Sequence, residues 1–154
     1  MTTTESNPTD GTVTGEAGLN ALVAQHFGVP VAVITGDQFV GPEAEPFCPG
    51  IAVAEVKESL SRYAASHLHP LAARELISSV VRSALPALPP PPALSVPATI
   101  EVDFLSPDMA EQSSWVRGVS RVDSCTVSFS DDDPLRLFRT FITLVYLTRS
   151  LVET

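Results

Sequence analysis

The chain has 154 residues, enough for one folded domain, and 44% of them are hydrophobic, which excludes wholesale disorder. Eighteen acidic against nine basic side chains leave a net charge of −9. That is the wrong sign for a nucleic-acid partner, because phosphate binding needs clustered Lys and Arg.

The polar N-terminus lacks an apolar signal core, and the greasiest stretch, residues 135–152, carries Arg136, Arg139 and Arg149, which argues against a membrane span. Cys48 and Cys125 lie far apart and outside any CxxC spacing, so they read as reduced thiols of a cytoplasmic protein. Residues 1–8 are rich in Thr, Ser and Asn without periodicity. They are expected to form a disordered polar tail, leaving residues 9–154 as a single α/β domain.

The first predicted helix covers residues 16–27, where Leu19, Leu22, Val23 and Phe27 share a face and Gly28 stops the run. The sequence VPVAVIT over residues 29–35 follows as an almost wholly apolar strand, the pattern of a strand covered on both faces. Gly36-Asp37 then turns the chain. Residues 51–56 read as a second strand and residues 57–66 as a short helix. Pro70 suits the first position of a helix that runs to residue 85, with Leu76, Ile77, Val80, Val81 and Ala84 as its apolar stripe. Residues 86–97, with four consecutive prolines at 89–92, read as a stiff crossover linker.

Alternation is clearest after the linker. Ile100, Val102 and Phe104 point one way while Thr99, Glu101 and Asp103 point the other. Ser106-Pro107-Asp108 opens a short helix towards Trp115. Cys125, Val127 and Phe129 alternate with polar residues in a further strand, and Asp131-Asp132-Asp133-Pro134 starts the last helix with acids that suit its dipole. That helix is apolar nearly all round, from Leu135 to Leu151. Either it is the centre of the core or part of it meets another chain.

Few residues carry chemistry on their own. Glu16, at a helix start beside Gly15 and Gly18, is a reasonable hard ligand for zinc, but on spacing alone a partner for the helix dipole is the better reading. His67 and His69 are spaced as a chelating pair, yet positions i and i+2 of a helix point to different sides, and His69 before Pro70 suits the opening of a helix. His26 reads as a helix-end residue. The run of residues 131–133 reads as a cap in preference to a calcium loop, since no EF-hand spacing follows. Lys57 and Arg62 can either meet a substrate carboxylate or pair with Glu55 and Glu58. GxSxG, P-loop and dinucleotide fingerprints are absent from the sequence.

The segment Thr14-Gly15-Glu16-Ala17-Gly18-Leu19-Asn20 resembles the Gly-Glu-x-Gly-x-Asn motif of the D-aminopeptidase-like zinc peptidases, family M55. Val29-Pro30-Val31 with Thr35-Gly36-Asp37 is similar to the strand and turn that follow. Glu43-Ala44-Glu45, Ala54-Glu55-Val56-Lys57, Ser61-Arg62-Tyr63-Ala64-Ala65 and Ile100-Glu101-Val102-Asp103-Phe104 continue the likeness in order. Each motif is short, and their collinearity carries the resemblance. It runs over residues 9–152 and corresponds to the C-terminal half of a family member.

The resemblance implies an α/β fold with a mixed sheet and flanking helices. It implies that Glu16 is a zinc ligand and that Asn20, one turn later, supports the site. The family's other ligands, an Asp-x-Glu segment and two histidines, and its catalytic histidine belong to a preceding half without counterpart here. The chain is therefore expected to supply no catalytic residue of its own. It is expected to act as one subunit of a zinc-dependent amide hydrolase completed by a partner chain, with Lys57 and Arg62 as possible substrate contacts. The alternative is a noncatalytic binding or scaffolding descendant, which as a homo-oligomer would bury its own exposed faces.

Overall fold

The computed structural model describes residues 2–4 and 11–151. In chain order its elements are strands β1 (Thr2–Thr4) and β2 (Gly11–Val13), helix α1 (Glu16–His26), strand β3 (Val33–Gly36) and helix α2 (Val40–Ala44). Strands β4 (Ala52–Glu55), β5 (Lys57–Ser61) and β6 (Ala64–His67) and helix α3 (Pro70–Ala84) follow. The chain closes with β7 (Ala98–Asp103), α4 (Pro107–Ser113), β8 (Ser120–Arg121), β9 (Thr126–Asp131) and α5 (Pro134–Thr148). Two compact units result: Glu16–Ala93, and Met1–Gly15 together with Leu94–Thr154. Of the tail expected over residues 1–8, Thr2–Thr4 are placed as β1, and the rest lies outside the described residues.

In the unit that ends the chain, an antiparallel sheet runs β2-β1-β7-β9-β8. Ile100 stands opposite Phe129 and Val102 opposite Val127, so the apolar side of the alternation shares one face. All four are buried. The intervening pairs are polar, and Thr99 and Ser130 hydrogen-bond through their hydroxyls at 2.7 Å. Helices α4 and α5 pack on each other and on β9. From α4 come buried Met109, Ala110 and Ser113, and from α5 fully buried Leu137 and Leu144.

Helix α5 starts as its sequence dictates. Asp133 caps it by accepting from the Leu135 amide at 2.9 Å, and Pro134 occupies the first turn, where its missing amide costs nothing. Asp131 accepts from the Asp133 amide at 2.8 Å, and Arg136 closes over the run with contacts of 2.7 Å to Asp131 and 2.6 Å to Asp132. The helix is not buried all round: Tyr146 is 69% exposed and Val145 43%.

The unit Glu16–Ala93 is built on a parallel pair, with Val33 to Gly36 of β3 in register with Ala52 to Glu55 of β4. Strand β3 begins later than the predicted residue 29. Pro30 has no amide to donate, and Val29 is 53% exposed. Helix α2 crosses between the two strands and packs on both, as does α3. This crossover needs glycine at 36, because a Cβ there would lie 2.9 Å from the Val40 Cβ. Helix α3 presents the predicted stripe, Leu76, Ile77, Val80, Val81 and Ala84, but none of these is fully buried.

Residues 57–66 are not the helix that the sequence leads one to expect. They form the antiparallel hairpin β5–β6, with Lys57 opposite His67, Glu58 opposite Ser66 and Ser59 opposite Ala65. The register slips between Ser59 and Ser61, making a bulge at Leu60. Ser59 and Ser61 are indifferent helix formers, and a long-range polar contact decides the matter. The Gln38 amide donates to the Ser59 carbonyl at 3.0 Å, and its oxygen accepts from the Ser59 amide at 2.9 Å. Both backbone groups of Ser59 are thereby satisfied in an extended strand.

Candidate functional site

Helix α1 owes its orientation to one apolar face. Gly18, Leu19, Ala21 and Leu22 are buried, which leaves Glu16 and Asn20, one turn apart, together on the exposed side. The helix ends at Gly28, whose φ of 62° lets its amide reach the Gln25 carbonyl at 3.0 Å, while the Val29 amide reaches Ala24 at 2.9 Å. Glu16 is the first residue of the helix, where a carboxylate meets the unpaired amides and positive end of the dipole. Among the described residues, no hydrogen bond or ion pair engages its carboxylate.

Lys57 and Arg62 stand on a different element. Lys57 sits at the base of the hairpin, where with Glu55, Glu58, Ser66, His67 and Leu68 it lines an open cavity of about 240 Å³. Arg62 lies in the turn, its guanidinium 5.3 Å from the Tyr63 ring centroid. No carboxylate among the described residues is within ion-pair distance of either. His69 is engaged as the cap of α3: its Nδ1 accepts from the Leu71 amide at 3.3 Å. His67 instead faces Lys57 across the hairpin.

The turn after β3 holds a network that sequence reasoning missed. The Asp37 Oδ2 accepts from the Ser59 hydroxyl at 2.5 Å, and its Oδ1 from the Phe39 amide at 3.0 Å. The Ser59 hydroxyl, then the Phe39 amide, hold the Asp37 carboxyl below its usual range, with nearby Lys57 adding to the effect. Asp37 was visible in the sequence as a turn residue. Its partner was hidden because residues 57–66 read as a helix.

The donor set can be weighed against a metal. A catalytic zinc takes about three protein ligands and keeps a position for water. Among the described residues no group of three or more His, Cys, Asp or Glu side chains comes together. Glu16 provides one oxygen donor of suitable chemistry, and these residues do not by themselves fit a zinc ion.

A family model for peptidase M55, described as D-aminopeptidase, matches residues 3–143. The chain belongs to the M55 peptidase family. A D-aminopeptidase of Bacillus subtilis (strain 168) is 32% identical to it over 142 residues, covering 86% of this chain and 50% of the relative. Among solved structures, the Zn-dependent D-aminopeptidase DppA from Bacillus subtilis, described as a self-compartmentalizing protease, matches with a TM-score of 0.81 and 26% identity. That match covers 96% of this chain and 54% of DppA. This M55 chain thus spans about half the length of the relatives it matches, and it shares their mixed α/β fold.

Proposed function

We propose that this chain is one part of a zinc-dependent amide hydrolase that removes D-amino acids from peptide N-termini, and that Glu16 is its contribution to the metal. The observation that carries this reading is the free carboxylate of Glu16 at the exposed start of α1, in a member of the M55 family. Asn20, on the same helix face, supports the site, and Lys57 and Arg62 are the cations available to a substrate carboxylate. The remaining ligands and the catalytic groups come from polypeptide outside these 154 residues, on a partner chain in the form favoured by this reading. The two free thiols, Cys48 and Cys125, suit a reducing cytoplasm. No described helix is long and apolar enough to cross a membrane.

The test is purification from the native host under mild conditions, with zinc and co-eluting protein quantified together. Zinc with a stoichiometric, His-bearing partner is the expected result, and Glu16→Ala should then lose the metal while the fold persists. A stable, zinc-free chain without a partner would overturn the reading and leave a noncatalytic binding protein. If Glu16 serves the dipole alone, Glu16→Ala costs about 0.3–1 kcal/mol and zinc content does not change.

A further inference from the structure

We propose that the open cavity at the base of the β5–β6 hairpin binds a free α-amino acid, Lys57 holding its carboxylate and Glu55 its ammonium group. The choice of ligand rests on the preceding reading, because an amino acid is what that hydrolase releases. The site itself uses neither zinc nor Glu16.

The cavity lies where an α/β fold collects ligands. In open sheets small molecules bind outside the carboxyl ends of the parallel strands. Strands β3 and β4 end in register at Gly36 and Glu55. Asp37 and Gln38 follow the first, Lys57 and Glu58 follow the second, and the cavity opens beside the latter pair. Its volume of about 240 Å³ is below the roughly 300–1,000 Å³ of pockets for drug-sized ligands, which suits a single amino acid and not an extended peptide.

The lining selects a molecule that carries both signs. Glu55, Lys57 and Glu58 all border the cavity, yet among the described residues no ion pair joins the lysine to either acid. Asp37, also near Lys57, has its two oxygens engaged by the Ser59 hydroxyl and the Phe39 amide. Glu55 and Lys57 are two residues apart, so their Cα atoms lie within about 7 Å of each other. An α-amino acid has its ammonium and carboxylate on one carbon, and each reaches an opposite charge through a bond of about 2.7–2.9 Å. A lone anion would instead meet two glutamates, and a lone cation would meet Lys57. Leu68 offers the ligand's side chain an apolar contact.

The lysine is held in place from a distance. Ser59, two residues along β5, is bonded by Gln38 at both backbone groups and by Asp37 at its hydroxyl. A strand fixed in this way loses little freedom when a ligand docks, which makes Asp37 and Gln38 positioning residues for Lys57.

The test is an NMR titration of the whole chain, its zinc measured first and then removed with chelator, using D-alanine, L-alanine, acetate and methylammonium. Alanine should shift the Lys57 and His67 amides saturably, with a dissociation constant of about millimolar because the site is open to water. Acetate and methylammonium should bind at least about tenfold more weakly, and Lys57→Gln and Glu55→Gln should each weaken alanine binding by a similar factor. Lys57→Arg should keep the binding that Lys57→Gln loses, and Asp37→Asn should weaken it with circular dichroism unchanged. Shifts that never saturate would overturn the proposal, as would acetate binding as well as alanine or a Lys57→Gln chain that binds like wild type. L-alanine bound in preference to D-alanine supports the site and counts against the preceding reading. A chain that carries zinc but binds neither alanine overturns the site alone.

Discussion

The two units of the chain bury their apolar side chains to different degrees. Ile100, Val127, Leu137 and Leu144, all in the unit Leu94–Thr154, are the largest apolar side chains removed almost completely from water. The unit Glu16–Ala93 removes only alanines such as Ala44 and Ala54 completely from water, with Leu19, Leu22, Phe47 and Ile51 nearly so, and its longest helix buries nothing fully. It also carries Glu16, Lys57, Arg62 and the exposed hairpin tip. The first is a frame around fully buried aliphatics, although it too exposes Leu105, Trp115 and Tyr146, and the second, the presenting unit, carries the candidate site residues and the exposed hairpin. Interfaces and sites need such surface, and it costs stability locally.

The largest effect that would sharpen this contrast lies in the frame. Leu137→Ala or Leu144→Ala should cost about 2–5 kcal/mol, because each side chain is fully buried and its cavity cannot refill with water. Ile77→Ala, on the half-buried stripe of α3, should cost about 1–2 kcal/mol. Urea unfolding of the three variants checks the order. An Ile77 loss equal to that of Leu137 would break the comparison.

Next in size is Gly36→Ala, which probes the tightest point of the presenting unit. The new methyl would meet the Val40 Cβ at 2.9 Å, and that atom cannot move without α2. A loss of about 1–3 kcal/mol is expected. A neutral result would mean that α2 shifts freely against β3.

The acid limb of stability should report mainly on the frame. Asp131 is pulled down to about 2 from an ordinary 3.8, first by its bond to Arg136 and then by the Asp133 amide. Its folded-state value is depressed, so its contribution is complete above about pH 4 and is lost as pH falls towards 2. Arg136→Gln should lower stability by about 1 kcal/mol or less wherever Asp131 is ionised, neutral pH included, and the difference from wild type should shrink away as pH falls towards 2, which flattens the profile in that window. A profile identical to wild type would show that the three aspartates do not depend on Arg136.

The same contrast explains what could be read from the sequence. In the frame, strand alternation at Ile100 and Val127 and the cap signals at Ser106 and Asp133 are local, and elements formed where local signals place them. Even so, the Ser106 side chain makes no capping hydrogen bond although it occupies the cap position. In the presenting unit, α1 and α3 were legible from periodicity. The hairpin was not, because what makes residues 57–67 extended is Gln38 and Asp37, about twenty residues away in sequence. Glu16 was legible through its motif, but that none of the described residues engages its carboxylate is a property of the fold. The opposition of Lys57 and His67 follows from strand register, which no single-chain periodicity specifies.

The smallest expected effect concerns the cap of α3, where the presenting unit uses a weaker device than the frame does. Asp133 caps α5 with a charged oxygen at 2.9 Å, whereas His69 caps α3 with an imidazole nitrogen at 3.3 Å, exposed to water. A longer bond to a neutral, solvated acceptor contributes less, so His69→Ala should cost no more than about 0.5 kcal/mol. His69→Asp should do better than wild type, by about 0.5 kcal/mol, because a carboxylate both accepts from the Leu71 amide and meets the positive end of the dipole. Equilibrium unfolding of the pair decides it. If His69→Ala costs as much as removal of the Asp133 cap, His69 is held by more than its hydrogen bond, and the difference in capping between the two units disappears.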